Sequence, residues 1–247
     1  MDIQGMIELV KETKDFVENR ERAGHIKTKG RADYVTQVDT DIQEFLFREL
    51  KARFPDIAFL GEEEGLHEMN ADTYWILDPI DGTTNLIHDY QHSVVSLGLY
   101  ERGMITMGII YDPFREDVYY AQKGQGSFLN GSPIQVSRQP LENGIVIFGT
   151  ATYYEEYAKA TFDMAYDYYC KALDVRRSGS SALDLCNVAA GRAELFFELR
   201  LCPWDYAAGS LIVEEAGGVV TTIDGGELPL NEGCGVLATN AVCRKND

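Results

Sequence analysis

The sequence predicts a layered α/β (α+β) sandwich, and three observations support this fold class. Strand-like apolar stretches alternate with amphipathic helical stretches, and tight hairpin connections occur beside longer helical crossovers. Hydrophobic residues make up 45% of the 247 residues, which is enough for a substantial core. The length favours one large domain or two packed lobes. We predict an N-terminal lobe over residues 1–140 and a C-terminal lobe over residues 141–247, joined as one structural unit.

The N-terminal half begins with helices and continues with strands. Apolar residues at helical spacing predict a helix over residues 3–17, and a second helix over residues 40–53 that Pro55 ends. Strands are predicted in DIAFLGEE, YWILDPI, SVVSLGLY, MITMGIIYD and DVYYAQ. The stretch Glu101-Arg102-Gly103 and the Asn130-Gly131 pair are typical of hairpin connections.

The C-terminal half alternates strands and helices. GIVIFGT is predicted to be a strand, and EEYAKATFDMAYDYYC is predicted to be a helix that faces the core. LDVRRSG, SALDLCNVAAG, AELFFEL, WDYAAGSLIVEEAGG and GVVTTID continue the alternation. The many tyrosines are interpreted as packing residues within these elements, because no basic residues are interleaved with them.

Charge and composition exclude several classes of function. The formal net charge is −18, with 40 acidic and 22 basic residues, which argues against nucleic-acid or anionic-membrane binding. The N-terminal stretch lacks the features of a signal peptide, and no apolar run reaches the ~18 residues of a membrane helix. Five cysteines without C-x-x-C spacing indicate neither a disulfide framework nor a zinc site. We therefore expect a cytoplasmic protein with reduced thiols, which would need metal cations to hold an anionic substrate.

The stretch WILDPIDGTTNL, residues 75–86, has the composition of a metal site. Asp78 follows a predicted buried strand, and Pro79 favours an extended backbone that places Asp78 and Ile80 on the same side. The Asp78 carboxylate, the Ile80 carbonyl and the carboxylate of Asp81 are oxygen ligands of the kind Mg²⁺ prefers. Taken alone, the stretch is equally well explained as a polar turn that caps a helix.

The residues that follow can bind an anion. Gly82 permits close approach of the backbone, and Thr83 offers both an amide and a hydroxyl, so successive N–H groups here are suited to a phosphate. Further acids lie at other element ends: Glu62 and Glu63 follow a strand, and Asp39 and Asp205 begin helices. A solvated loop explains the glutamates and a helix N-cap explains each aspartate. They do not explain why so many acids lie at the ends of helices and strands in the same chain.

These motifs resemble those of the inositol monophosphatase family of metal-dependent, lithium-sensitive sugar phosphatases. The resemblance is carried by KGRADYVTQVD, GEE, WILDPIDGTTN, RRSGSSALDLCNVAAGRAELFFE and PWDYAAGSLIVEEAGG, in the family's order from about residue 25 to residue 220. It implies a layered αβαβα sandwich, commonly dimeric, that uses two or three Mg²⁺ ions to hydrolyse a small phosphate ester.

The resemblance also implies residue roles. Glu62, Asp78 and the Ile80 carbonyl would hold a first Mg²⁺, and Asp78 would share a second with Asp81 and Asp205. Asp39 and Thr83 would activate the attacking water, with Glu62 as a further catalytic residue, and Glu63 would support this cluster. Gly82 and Thr83 would bind the phosphate, and Lys29 would lie near the active-site loop. The implied substrate contacts are Gly179, Ser180, Ser181, Glu198 and Asp205.

Two residues depart from the family pattern. Cys202 stands where some relatives carry a histidine near the second metal. Arg200 lies close to Glu198, where it either pairs with a neighbouring acid or contacts a second anionic group of the substrate, and we prefer the first explanation. His88 and His92 have the spacing of a zinc pair but lack its acidic context, so structural roles are expected.

The predicted function is Mg²⁺-dependent hydrolysis of inositol monophosphate or a similar polyol or sugar phosphate. Fructose-1,6-bisphosphatase and 3′-phosphoadenosine phosphate phosphatase activities are alternatives within the same chemistry. A relative that binds metal or a partner without catalysis is a third possibility, and the intact set of acids argues against it.

Overall fold

A computed structural model describes residues 2–19, 24–30, 33–63 and 72–243 of the chain, and the side chain of Lys29 lies outside the described part. In these ranges, a small sheet of two strands accompanies two larger sheets of seven and five strands. The first helices are α1 (Ile3–Lys11), α2 (Lys14–Val17) and α3 (Gln37–Arg53).

The helices at the N-terminus differ from the prediction in two details. The predicted helix over residues 3–17 is divided at Glu12 and Thr13, where the Thr13 hydroxyl donates to the carbonyl of Val10 at 2.6 Å. Helix α3 begins three residues earlier than predicted, because Thr36 caps it by accepting a hydrogen bond from the Val38 N–H.

The seven-stranded sheet is a meander in which β3 and β4 are parallel and the later neighbours are antiparallel. The predicted hairpins at residues 101–103 and 130–131 are both present. The strands, with the two of the small sheet first, are β1 (Ile26–Gly30), β2 (Asp33–Thr36), β3 (Ala58–Gly61), β4 (Thr73–Asp81), β5 (Val94–Glu101), β6 (Met104–Asp112), β7 (Asp117–Gln122), β8 (Ser127–Leu129) and β9 (Ser132–Ile134).

The five-stranded sheet has the order β11-β10-β12-β14-β13, with β10, β11 and β12 parallel and the remaining pairs antiparallel. Its strands are β10 (Ile145–Phe148), β11 (Asp174–Arg176), β12 (Leu195–Leu201), β13 (Val219–Thr222) and β14 (Cys234–Thr239). The remaining helices are α4 (Thr83–Ile87), α5 (Ala158–Lys171), α6 (Ser181–Ala189) and α7 (Pro203–Glu215).

The core is divided into three clusters that define five layers. Helices α1 to α3 pack on one face of the larger sheet, α6 and α7 fill the space between the two sheets, and α5 covers the outer face of the smaller sheet. The predicted αβαβα sandwich is confirmed. Helix α7 lies so close to β6 that a Cβ at Gly108 would stand 2.6 Å from the carbonyl oxygen of Ala208. A helix from the C-terminal half thus covers a sheet from the N-terminal half.

The strands of the two large sheets lie on either side of residue 140, where we predict the lobe boundary. Helix α5 is an amphipathic helix with one face directed to the core, as the sequence predicts. Thr161, Ala165 and Tyr168 are buried on the smaller sheet. Among the described elements α5 forms the outermost layer, and its outer face exposes Phe162, Tyr166 and Tyr169. Leu173 is exposed just beyond the end of the helix.

Two further features bear on the environment of the protein. Within the described ranges, no helix combines the length and the apolar character needed to cross a bilayer. All five cysteines are free thiols.

Candidate active site

The acidic motif lies at the end of β4, a strand in the interior of the larger sheet. We predicted that this strand leaves the core after Leu77, but β4 continues to Asp81, because its pairing with β5 resumes at Asp81 and Val94 after a bulge. Asp78 and Asp81 are consequently both buried. The Asp78 carboxylate accepts a hydrogen bond from the Ile80 N–H at 2.9 Å, which fixes the backbone of the bulge.

Three carboxylates converge at this point. One oxygen atom from each of Asp78, Asp81 and Asp205 lies within 4.8 Å of the others. Burial raises the pKa of Asp81 to about 6. Burial, followed by repulsion from neighbouring carboxylates, raises the pKa of Asp78 and of Asp205 well above the usual value. The protein therefore holds together acids that repel one another.

This arrangement fits a hard divalent cation. A cation between the three carboxylates would offset their mutual repulsion, and oxygen atoms are the donors that Mg²⁺ prefers. Glu62 lies against Asp78, where it shares a hydrogen bond that raises the Asp78 pKa, and the backbone N–H of Glu62 donates to the Leu77 carbonyl at 3.1 Å. Glu62 and Ile80 line the same cavity as the three aspartates.

Asp39 and Asp205 are third residues of helices, and not the N-caps that we considered. Thr36 caps α3, and its N–H and hydroxyl donate to Asp39 Oδ2 at 2.8 and 2.5 Å. Cys202 caps α7, and its N–H donates to Asp205 Oδ2 at 2.6 Å. In both helices the capping box uses one carboxylate oxygen and leaves the other for the site.

Asp39 contacts the acidic motif through Thr83. The Thr83 hydroxyl lies 3.0 Å from Asp39 Oδ1 and 3.1 Å from the carbonyl oxygen of Ile80. Burial is the main cause that raises the Asp39 pKa to about 6, and the nearby Glu63 adds to it. Glu63 is itself buried, and its N–H donates to Gln43 Oε1 at 3.2 Å. Glu63 thus lies behind the site.

Gly82 forms the turn between β4 and α4 with a left-handed backbone, φ 93°. A Cβ on Gly82 would lie 3.1 Å from the carbonyl oxygens of both Gly179 and His92, so glycine is required by conformation and by space. Gly82 and Thr83 line a cavity of about 410 Å³ that also contains the acidic cluster.

The segment from Gly179 to Ser181 positions the acids. The Ser180 hydroxyl and the Ala182 N–H donate to Asp81 Oδ2 at 2.5 and 2.8 Å. The Ser181 hydroxyl donates to Glu198 Oε2 at 2.7 Å. All three residues of the segment line the cavity, but the two serine hydroxyls are already engaged with carboxylates.

Glu198 is held by a loop that the sequence did not indicate. The N–H of Ala151 donates to Glu198 Oε1 at 2.7 Å, and Ala151 has a left-handed backbone with φ 42°. Burial is the main cause that raises the Glu198 pKa to about 7. Residues Gly149–Tyr154 line the cavity, and the available signal was the Gly-Thr-Ala that follows the predicted strand IVIF.

Substitution of Gly149 by alanine tests the position of Glu198. A Cβ at residue 149 would overlap the Glu198 carboxylate, which can rotate away because it is the end of a flexible side chain. We expect Gly149→Ala to fold and to raise the KM for a polyol phosphate by about tenfold, with kcat changed less, since hydrogen bonds to the Glu198 carboxylate are lost.

Gly98→Ala is the matched control in steady-state kinetics, because the nearest atom to a new Cβ there is an ordinary 3.6 Å away. Equal KM values for the Gly149→Ala and wild-type proteins would show that Glu198 does not contact the substrate.

Other lining residues were not identified from the sequence. Asp184 is buried in α6, and its Oδ2 accepts from the Ser178 hydroxyl at 2.6 Å. Its Oδ1 has no hydrogen-bond partner among the described residues. Burial raises the Asp184 pKa well above its usual value. The signal was an acid inside the apolar run SALDLC. Arg177 also lines the cavity, at its exposed rim.

Arg200 and Cys202 both line the cavity. The expectation that Arg200 pairs with a neighbouring acid is wrong for the described residues, because its guanidinium donates to the Gly233 carbonyl and lies 5.6 Å from the ring centre of Tyr154. Burial is the main cause that raises the Cys202 pKa to about 12, so the thiol is neutral. His88 and His92 lie outside the metal cluster found in the described part.

The fold and the acidic centre define a layered α/β protein with a candidate site for divalent cations, and its family match identifies it as a phosphatase. The chain belongs to the inositol monophosphatase family, whose model matches residues 3–246. It is 40% identical over 224 residues to inositol monophosphatase 3 of Solanum lycopersicum, covering 88% of this chain and 83% of that protein.

Two further relatives show the breadth of the family. The chain is 38% identical over 222 residues to the Nus factor SuhB of Xylella fastidiosa, covering 87% of this chain and 80% of that protein. A solved IMPase structure from Thermotoga maritima has a TM-score of 0.88 and 31% identity, covering 98% of this chain and 93% of that chain.

Proposed function

We propose that the protein is a Mg²⁺-dependent phosphomonoesterase that hydrolyses inositol monophosphate or a similar polyol or sugar phosphate. The observation that carries this proposal is the convergence of Asp78, Asp81 and Asp205 beside the Thr83–Asp39 pair. The Solanum lycopersicum relative is named inositol monophosphatase 3, and this name and the polar cavity of about 410 Å³ support the substrate class.

Two or three Mg²⁺ ions would be held by the acidic cluster. Glu62, Asp78 and the Ile80 carbonyl would bind one ion, and Asp78 with Asp81 and Asp205 would bind another. Bound Mg²⁺ supplies positive charge that stabilises the attacking and leaving oxygens of an in-line displacement at phosphorus. The N–H groups of Gly82 and Thr83 would orient the phosphate, and Asp205 would contact both a metal ion and the substrate.

The proton of the attacking water is taken up by the Thr83–Asp39 pair. Thr83 Oγ1 donates its own hydrogen to Asp39 Oδ1, so its lone pairs are available to the water. Because the Asp39 pKa is raised to about 6, this carboxylate is a stronger base than an exposed aspartate and is still ionised at pH 7. Water adds to phosphorus as the ester P–O bond breaks, and the leaving alkoxide takes a proton from solvent water, which gives inorganic phosphate and the alcohol.

The alcohol part of the substrate contacts the opposite wall. Glu198 accepts hydrogen bonds from Ser181 and Ala151, which fix its orientation. A carboxylate so oriented can accept hydrogen bonds from substrate hydroxyl groups. Gly179, Ser180 and Ser181 support this wall and the carboxylate of Asp81.

Release of inorganic phosphate from a panel of esters tests the function. We expect inositol monophosphate and polyol phosphates to be hydrolysed with Mg²⁺, hydrolysis to stop in EDTA, and Li⁺ to inhibit. No turnover of any ester in the presence of Mg²⁺ would refute the enzyme proposal, and resistance to Li⁺ would refute only lithium sensitivity.

A non-catalytic role is the second candidate, because a relative of 38% identity is named a Nus factor. Such a role would not require the complete acidic set that this chain retains. Phosphate release distinguishes the two candidates directly. The alternative phosphatase activities, on fructose 1,6-bisphosphate or 3′-phosphoadenosine phosphate, are distinguished within the same panel.

We also propose a cytoplasmic homodimer. The five free thiols support a reducing compartment. The exposed stripe on α5, with Phe162, Tyr166 and Tyr169 at helical spacing, and the exposed Leu173 that follows the helix support burial against a second copy. A mass of twice 27.7 kDa by light scattering is the expected result, and a monomer would contradict it.

A further inference from the structure

The cavity is lined mainly by acidic side chains, and one of its walls also carries arginine side chains. Among the described lining residues, six are carboxylates and two are arginines, Arg177 and Arg200. The carboxylates are Glu62, Asp78, Asp81, Asp184, Glu198 and Asp205.

Neither arginine forms a close ion pair in the part of the chain that the structure describes, although the charge of Arg177 offsets part of the rise that burial causes in the pKa of Glu198 and of Asp184. The Arg200 guanidinium donates to the Gly233 carbonyl and lies over the ring of Tyr154 at 5.6 Å. Arg177 donates to the Thr150 hydroxyl at 3.1 Å. Thr150 and Tyr154 belong to the loop that holds Glu198, so this loop joins both guanidinium groups to the substrate wall.

Arg200 does not neutralise the charge of the nearby Glu198, so its orientation needs another explanation. Arg200 is two residues from Glu198 on β12, yet Glu198 is engaged by Ser181 and Ala151 instead. A guanidinium has five N–H donors in a rigid fork. The Gly233 carbonyl and a side-chain hydrogen bond with Tyr154 engage only part of that fork. Such a group binds carboxylate or phosphate oxygens with two parallel hydrogen bonds.

We propose that Arg200 binds a second anionic group on the substrate, so that the preferred ester carries a phosphate or carboxylate in addition to the phosphate that is hydrolysed. This inference rests on the proposed function. The scissile phosphate lies at Gly82 and Thr83, and the second anion lies at the wall formed by β12 and Tyr154. Arg177 lines the same cavity.

Kinetics on three six-carbon esters test this inference: glucitol 6-phosphate, fructose 1,6-bisphosphate and 6-phosphogluconate. We expect the wild-type protein to have a lower KM for at least one ester with a second anion. In Arg200→Gln, the ratio of kcat/KM for that ester to kcat/KM for glucitol 6-phosphate should fall about tenfold, and Arg200→Lys should retain part of the ratio.

Arg192 provides the matched control, since its guanidinium also lies over a tyrosine ring, Tyr119 at 5.8 Å, but does not line the cavity. Arg192→Gln should leave the ratio unchanged. If Arg200 only braces the Gly233 segment, Arg200→Gln will lower kcat/KM for all three esters alike, and the inference is overturned.

The outcomes separate the two proposals. If only the bisphosphate is preferred, the group that Arg200 binds is a phosphate. If both esters with a second anion are preferred, Arg200 binds either a phosphate or a carboxylate. Hydrolysis of glucitol 6-phosphate with a ratio that Arg200→Gln does not change overturns this inference and leaves the proposed function intact. Failure of all three esters together with inositol monophosphate overturns both.

Discussion

Asp78→Asn is expected to reduce phosphate release by at least about a thousandfold, equivalent to about 4 kcal/mol of transition-state stabilisation. Asp78 shares a hydrogen bond with Glu62 and has a carboxylate oxygen within 4.8 Å of those of Asp81 and Asp205, so its charge would serve each proposed ion. Asparagine keeps the shape and the acceptor for the Ile80 N–H. Loss of one of several buried like charges should leave the metal-free protein folded and at least as stable.

The measurement is kcat with Mg²⁺, combined with the rise in melting temperature that Mg²⁺ produces. Asp112→Asn is the control, because Asp112 is also a buried aspartate at a strand end, where it accepts N–H bonds from Phe114 and Arg115 at 2.9 and 3.1 Å. Asp112 does not line the cavity. We expect its variant to lose stability but keep activity. A fully active Asp78→Asn protein would contradict the shared-ligand proposal.

The free energy of unfolding of the metal-free protein is expected to fall by several kcal/mol between about pH 4 and pH 7. The pKa values of Asp39 and Asp81 are raised from 3.8 to about 6, and that of Glu198 is raised from 4.5 to about 7. Between the unfolded and the folded pKa, the native state binds more protons than the unfolded state. Stability is therefore greatest below the unfolded pKa values and is lost as pH rises through the folded ones.

Two acids have lowered pKa values, which make the free energy of unfolding rise with pH, but their contribution is small. The pKa values of Glu116 and Asp174 are lowered by Lys14 and Arg176, but these pairs are exposed and screened by solvent. Urea unfolding at several pH values in EDTA measures the predicted fall. Mg²⁺ should reduce it, because a bound cation favours the ionised carboxylates. Stability that rises with pH across this range in EDTA would refute the buried, metal-free acidic cluster.

The layered fold and the metal motif were predictable from the sequence because their determinants are local. Alternation along β4 places Asp78 and Ile80 on one side, and a positive φ at Gly82 follows from the Asp-Gly turn. The same local rules failed where a neighbour decides the outcome. Strand β4 continues past Asp78 because β5 pairs with it.

The sequence by itself determined the layered α/β class and the acids that form the proposed centre, since periodicity and turn chemistry are encoded residue by residue. The order of its motifs gave the resemblance to the family, and that resemblance implied the αβαβα architecture. Only the tertiary structure decided which groups meet across the chain. It brought the loop at Ala151 to Glu198, buried Asp184 beside the site, and turned Arg200 away from Glu198 toward Gly233 and Tyr154. Contacts between residues 30 to 50 positions apart depend on how the layers pack, and no local pattern records that packing.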